Sequence, residues 1–431
     1  MFSQIFFFKN YNEGLVTSTL KISKFYEKSL EQRLQILKEF ANLEDAEIKE
    51  LEKYGALDFE TANRMIENVI GTFQFPLGIA TNFVINGKEK LIPFALEEPS
   101  VVAAASNAAK LSEGFEAKAS DPIMIGQIQI LGIENPKEAI AKIMEKEKEL
   151  LEICNKGDSM LVKFGGGAKK IETREIETKR GKMLILHLLV DVRDAMGANT
   201  INTMCERISP NLEEITGGET RLRIISNLAV HRTVKAKTIW KKENLGKEVI
   251  EKILDAYEFA ANDEYRACTH NKGIMNGVDA VVIATGNDFR AIEAGAHGYA
   301  SRNGKYKPLT KYYKNDNGDL VGEIELPMAI GLVGGATRTQ PIAKINVKLL
   351  GVKHASELAE IIGSVGLAQN FAALRALANE GIQKGHMKLH AKNIAVMAGA
   401  SNEKVDEIAK QMSEEGNINV TRAKEIIEGK K

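Results

Sequence analysis

Ile125–Cys154 reads IGQIQILGIENPKEAIAKIMEKEKELLEIC. Its first eight residues alternate in the period of a half-buried strand. Asn135-Pro136 then places a side-chain acceptor and a proline where a helix starts, and Ile140, Ile143, Met144 and Leu151 recur on one face as far as Cys154. Gly165–Gly167 punctuates a loop, Lys170–Thr178 reads as a polar strand, and Met183–Val192 as an apolar one. A helix is expected from about Ala195 to Ile208 and a last strand over Arg221–Val230. The order β-α-β-β-α-β is that of a ferredoxin-like unit, an antiparallel sheet with both helices on one face. Residues 121–230 are therefore expected to be a domain inserted into an α+β chain, whose segments 1–120 and 231–381 form a large α/β domain.

The length of 431 residues suits two or three domains, and 58 basic against 58 acidic residues leave no net charge to draw the chain to nucleic acid or anionic lipid. A small molecule is the expected partner, with no nucleic acid and no membrane. Cys154, Cys205 and Cys268 lie far apart without a CxxC pair, which argues against a disulfide framework or a zinc knuckle and suits a reducing cytoplasm. The opening MFSQIFFFKNYNEG carries an apolar patch but no basic leader, cleavage site or spanning length, and reads as a local strand or a docking segment. No other stretch reads as long and apolar enough to cross a membrane. An alanine-rich helix is expected over Glu357–Glu380. Beyond His386 the chain turns charged and weakly amphipathic, with Ser401 expected to cap one helix and Thr421 or Asn419 another.

Asn262–Tyr306 carries the chemistry. Lys272 stands alone among glycines and asparagines in THNKGIMNG, and Asp288 does the same in TGNDFRAIEAG. Between them Val278–Thr285 reads as a buried strand, so the lysine is expected on the loop before it and the carboxylate at its far end. Two ordinary turns would explain either segment alone; together they read as a reaction site. No GxGxxG occurs, so a Rossmann site is not expected. DAMGAN, Asp194–Asn199, lies where a buried strand gives way to a helix, and a helix N-terminus suits a pyrophosphate. Read bare, Asp194 is more simply a helix cap and Gly197 a packing glycine.

These segments also carry a resemblance. RACTHNKGIMNG followed by ATGNDFRAIEAGAHGYA resembles the catalytic core of class II 3-hydroxy-3-methylglutaryl-CoA (HMG-CoA) reductases. IENVIG (66–71), EEPS (97–100), DAMGAN, GLVGGAT (331–337) and GIQKGHMKLHAKN (381–393) are similar to the same family in the same order, over about Leu51–Ala400. The resemblance implies NAD(P)H-dependent interconversion of HMG-CoA with mevalonate and free coenzyme A. It assigns the large domain to HMG-CoA, residues 121–230 to the cofactor, and 382–431 to a mobile helical flap. It also implies a homodimer, or a larger dimer-based oligomer, with sites at the subunit interface. The dinucleotide would lie on Asp194, Met196, Gly197, Ala198 and Asn199, with Asp158 facing the adenosine ribose. A carboxylate there accepts from a 2′-hydroxyl and repels a 2′-phosphate, so NADH is expected over NADPH, which remains possible; locally, a turn or helix cap also explains Asp158.

Two hydride transfers convert a thioester to an alcohol through a hemithioacetal and an aldehyde, and both build negative charge on one oxygen. Lys272, held by Asp288, is the expected cation there, although a surface lysine is the plainer reading. By resemblance Glu98, rather than Glu97, donates the proton in the aldehyde step. His386, at the flap junction, would protonate the departing thiolate. His386 and His390 are spaced i, i+4, but the glutamate of HExxH and a third ligand are absent, so no metal is expected. Ser100, Asn227, Arg266, Thr269 and Asn276 are implied to contact the HMG moiety, with arginine apt for its carboxylate. IENVIG is implied to bind substrate as well, and the role of GLVGGAT stays open. A rival reading is a thiolase-like acyltransferase with Cys268 as nucleophile and His270 or His386 as base. A binding protein without catalysis is opposed by the presence of every polar residue the chemistry needs.

Overall fold

The computed structural model describes residues 24–54, 57–157, 159–335, 339–379 and 391–429. The apolar opening, Asp158, His386 and His390 lie outside these residues. Among the described residues the fold is mixed α/β with two sheets.

Strands β1 (Leu77–Ile85) and β2 (Lys88–Ala95) make a hairpin closed by Asn86-Gly87, both at positive φ, the backbone that a two-residue hairpin turn demands. Helix α1 (Val101–Leu111) covers the hairpin with Val101 and Ala105, and β3 (Ser112–Ala119) follows. The chain then leaves for a second sheet, built from β4 (Ile123–Leu131), helices α2 (Pro136–Glu145) and α3 (Glu147–Asn155), β5 (Gly167–Thr178), β6 (Gly181–Asp191), α4 (Ala198–Thr216) and β7 (Glu219–Ser226). Its four strands stand in the order β5-β6-β4-β7, all antiparallel. The apolar alternation explains the register: Met124, Ile128 and Ile130 of β4 and Leu184, Leu186 and Leu188 of β6 are buried. Asn135 caps α2 through its side chain, with Pro136 as the first helical residue. The single helix expected to reach Cys154 instead breaks at Lys146, and Glu147 turns to accept from the Ile171 N–H of β5 (2.8 Å).

The chain returns beside its point of departure. Ser120 donates its N–H to the Thr233 carbonyl and its Oγ accepts from the Thr233 N–H, both at 2.9 Å. There β8 (Thr233–Trp240) pairs with β3. Helices α5 (Glu264–Ala284) and α6 (Phe289–Ala300) precede β9 (Thr310–Lys314) and β10 (Leu320–Pro327), completing a sheet of order β2-β1-β3-β8-β10-β9. Helix α7 (Ala355–Asn379) lies across β3, β8 and β10 and against α5. Trp240 stacks on Phe371 of α7 at 3.8 Å between ring centroids and donates its indole N–H to the Ala108 carbonyl (3.0 Å).

Three expectations need correction here. Val278–Thr285 is no strand: Val278–Ala284 is the end of the 21-residue helix α5, and Thr285 is its C-cap. Its β-branched residues suggested a strand, but Ala267, Ile274, Met275, Val278, Val281 and Val282 bury at helical spacing, and Asp263 caps the start by accepting from the Arg266 N–H (2.7 Å). Of the glycines that suggested turns, Gly277 serves packing, since a Cβ there would lie 2.9 Å from Val365 Cγ1 of α7. Second, α7 is long and apolar enough to span a bilayer by length and composition, yet 67% of its apolar stretch is buried, as befits a central core helix. Third, the C-terminal helices have a core of their own, in which Ala395, Ile408, Met412 and Ala423 pack together, so they are more amphipathic than their charge suggests. Asn419, not Thr421, caps the last helix, and Ser401 offers only its backbone carbonyl.

Candidate active site

A cavity of about 870 Å³ opens between α5, α6, the Glu97-Glu98 turn, the start of α4 and the glycine loop 331–335. One stripe of α5 lines it: Lys272, Met275, Asn276, Asp279 and Ile283, the i, i+3/i+4, i+7 spacing of a single helical face. Glu98 faces this stripe. Its Oε2 lies 3.2 Å from Lys272 Nζ, and both side chains keep access to solvent. Asp288 and Asn287 close the cavity from the α5–α6 turn.

Lys272, Glu98, Asp288 and Asn276 are thus brought together, but Asp288 does not hold the lysine. Its Oδ1 caps α6, accepting from the N–H groups of Arg290 (3.0 Å) and Ala291 (3.3 Å), and Oδ2 pairs with the Arg290 guanidinium at 3.1 Å. The cap position commits that carboxylate to backbone amides, and the ammonium pairs with Glu98 instead. Met196, Gly197, Ala198 and Asn199 line the same cavity. Gly197, at φ 99°, starts α4 where a Cβ would fall 2.5 Å from Val192 Cγ1. No other residue fits that turn, and Ala198 and Asn199, whose N–H groups have no acceptor within the helix, line the cavity at its start. Asp194 stands beside that cavity: its carboxylate accepts from the Ala355 N–H (2.8 Å) and meets His354 Nδ1 (3.1 Å), so it caps α7 and borders a neighbouring cavity of about 720 Å³.

Ser100, Asn227, Arg266 and Thr269 do not line the cavity. Ser100 sits at φ 76° ahead of α1 with a buried Oγ that has no partner. Arg266 and Thr269 belong to earlier turns of α5; burial lowers the Arg266 pKa, and Thr269 Oγ1 faces the Tyr265 carbonyl (3.4 Å). Asn227 is exposed, and its carbonyl would stand 2.7 Å from a Cβ on Gly295.

Several residues of the site escaped the sequence reading. The glycine loop left open above bridges the two halves of the cavity: Gly331 donates to Asn287 Oδ1 (2.8 Å), Leu332 donates to the Asp194 carbonyl (2.8 Å), and a Cβ on Gly331 would sit 2.6 Å from the Met196 nitrogen. Arg232, buried beneath it, donates to the carbonyls of Ala195 (2.9 Å) and Ile330 (2.5 Å), and burial pulls its pKa down to about 10. Asp279 and Glu293 also face the cavity. Burial, followed by the neighbouring Glu293, pushes the Asp279 carboxyl up to about 8. A lone aspartate inside the apolar run VDAVVIA was the signal that could have found it.

Cys268 and His270 do not form a nucleophile–base pair. Cys268 is exposed, whereas His270 is buried with Nε2 2.6 Å from Thr310 Oγ1, and burial, then Arg266, lowers its pKa to about 3.

A paired ammonium and carboxylate beside backbone donors, roofed by two interlocked glycine turns, is the equipment of an acid–base enzyme that works on a developing oxyanion. Comparison with known proteins identifies which. The family model for hydroxymethylglutaryl-coenzyme A reductase matches residues 29–391, and the chain belongs to that family of oxidoreductases. It is 55% identical to the 3-hydroxy-3-methylglutaryl-coenzyme A reductase of Archaeoglobus fulgidus, with 97% of each chain covered. It is 38% identical to a probable reductase of the same name from Borreliella burgdorferi, over 88% of each. The class II reductase of Streptococcus pneumoniae, solved bound to NADPH in open conformations, superimposes with a TM-score of 0.80 at 43% identity, covering 93% of this chain and 99% of that one. The thiolase-like reading has no support among these relatives.

Proposed function

We propose that the protein reduces (S)-HMG-CoA to (R)-mevalonate and free coenzyme A with two equivalents of NAD(P)H, or runs the reverse oxidation. The observation that carries this is the Lys272–Glu98 pair, 3.2 Å apart, in the cavity that also receives the start of α4. The nicotinamide cofactor supplies hydride. Residues Met196–Asn199 fit its pyrophosphate, because they line the cavity at the start of α4, and a helix start offers backbone donors to an anion. Lys272 stabilises the oxyanion in both reductions, Glu98 gives the alcohol its proton, and Asp288 sets the field beside them. Asn276 orients the substrate from the same helical face. His386 protonates the thiolate.

In this reading residues 121–230 are the ferredoxin-like cofactor domain, 1–120 and 231–381 the substrate domain, and 382–431 a flap that moves. The active form is a cytoplasmic homodimer, or a larger dimer-based oligomer, in which Ser100, Asn227, Arg266 and Thr269 contact the HMG moiety. Asp158 favours NADH over NADPH.

The test is nicotinamide absorbance after mixing protein, HMG-CoA and each cofactor in turn. Two cofactor molecules oxidised per mevalonate formed is the expected result, and no oxidation with either cofactor would end the proposal. Asp158→Ala should narrow the NADH preference; a wild-type preference for NADPH would refute that part alone.

A further inference from the structure

Reduction consumes protons as well as hydrides: one must end on the alcohol oxygen and one on the coenzyme A sulfur. A cleft closed over its substrate cannot draw them freely from bulk water, so a store within reach is an advantage.

Asp279 lies two helical turns from Lys272 on the cavity-lining stripe of α5, and Glu293 of α6 stands against it as a hydrogen-bonding neighbour. Asp279 Oδ1 is buried and has no hydrogen-bond partner. A cluster extends outward from Glu293. Its Oε2 is 2.7 Å from His297 Nε2, and His297 Nδ1 is 2.6 Å from the Tyr306 hydroxyl, the two rings stacked at 5.9 Å. The His297 side chain is 40% exposed, so this line of groups runs from the cavity to solvent. The other charged groups facing the cavity are Lys272 on α5, Glu97 and Glu98 ahead of α1, and Asp288 and Arg290 at the start of α6.

We propose that Asp279 and Glu293 form a proton-sharing carboxyl pair that restocks the Lys272–Glu98 pair during reduction, with His297 and Tyr306 conducting protons to it from the surface. This rests on the reductase reading for its proton demand. After hydride has given the carbonyl carbon its hydrogen and two electrons, Glu98 loses its proton to the oxygen. The O–H bond of the Asp279–Glu293 pair then breaks, its proton crosses the cavity to the Glu98 carboxylate, and the pair is left doubly anionic. An N–H bond of the His297 imidazolium breaks to reprotonate Glu293, and solvent returns the proton to His297. Two carboxylates in contact cannot both ionise cheaply, so the pair holds one proton at a pH where separate carboxyls have none.

Infrared spectroscopy of the full chain without substrate tests the store directly. A protonated-carboxyl band should disappear as pH rises through about 8 and be missing from Asp279→Asn. Absence of that band in the wild type, or its persistence in Asp279→Asn, overturns the proposal. In HMG-CoA reduction, Asp279→Asn and Glu293→Gln should fall at least about tenfold further behind the wild type near neutral pH, where the wild-type pair still holds its proton, than at acidic pH, given what general acids contribute. Asp279→Glu should restore much of the rate near neutral pH. His297→Gln should slow steady turnover near neutral pH while sparing the first turnover, which uses the stored proton. Variant pH profiles parallel to the wild type, whatever the drop in rate, would mean that these residues only shape the cavity. If the wild type failed to oxidise NAD(P)H, the reductase reading would fall, and the infrared result would still decide the carboxyl pair.

Discussion

A general acid that serves only a departing thiolate has no task once the thiolate has gone. His386→Gln should therefore cripple reduction of HMG-CoA and leave reduction of added mevaldehyde far closer to normal, a gap of about a hundredfold or more. Lys272→Ala should damage both half-reactions, because both build charge on the same oxygen; deleting such a donor costs about 3 kcal/mol of transition-state stabilisation. Paired assays on purified variants check both, and equal losses in the two assays for His386→Gln would assign it to flap closure. At this scale the sequence was informative where chemistry is unusual. A lysine in THNKG and an aspartate in TGND stand out from their surroundings, and both line the cavity. Their partners were not legible, because Lys272 meets Glu98, 174 residues away in the chain, and only folding brings the two to 3.2 Å. Arg232 was invisible for a related reason: its role is to hold two backbone carbonyls, which leave no mark in the side-chain pattern.

The helix α5 shows how local signals can mislead at the level of elements. Two glycines and a β-branched run made its sequence resemble a turn followed by a strand, but burial against α7 selects a continuous helix, and tertiary packing overrides the local preference. The two glycines should then behave oppositely when replaced. At Gly273 a Cβ would meet only Ala373 Cβ at 3.8 Å, ordinary contact, so Gly273→Ala should gain the helix-propensity difference of about 1 kcal/mol. At Gly277 a Cβ would press on Val365 Cγ1 at 2.9 Å and Gln369 Cβ at 3.0 Å, and overpacking costs about 1–3 kcal/mol. Gly277→Ala should lose more than it gains. Urea denaturation midpoints decide it, and two variants that shifted alike would mean that α5 and α7 are less closely apposed. The strand and helix order of the β4–β7 sheet was readable because the alternation in Ile125–Leu131 and the apolar run Met183–Val192 coincide with burial, with no such conflict between levels.

At the scale of the whole molecule, buried titratable groups couple the site to stability, and their signs differ. Asp279 has its pKa raised from 3.8 to about 8 by burial and Glu293, so across that range the folded chain holds a proton that the unfolded chain has released. Its contribution is fully present below about pH 4 and is lost as pH rises through about 8. His270 works the other way. Its pKa is lowered from 6.5 to about 3, so it costs stability as pH falls below 6.5, when the unfolded chain takes up a proton that the folded chain refuses. Between about pH 7 and 9 this histidine is neutral in both states and drops out, whereas Asp279 is still titrating. Denaturation of the wild type should therefore become easier across that window. Asp279→Asn, which carries no charge to desolvate, should lack that component, and its stability relative to wild type should climb with pH. The difference between the two titration curves isolates the one carboxyl from every other group they share. A difference that stayed flat from pH 7 to 9 would mean that Asp279 is ionised in the folded protein, and the wall of the cavity beside Lys272 would then carry a full negative charge.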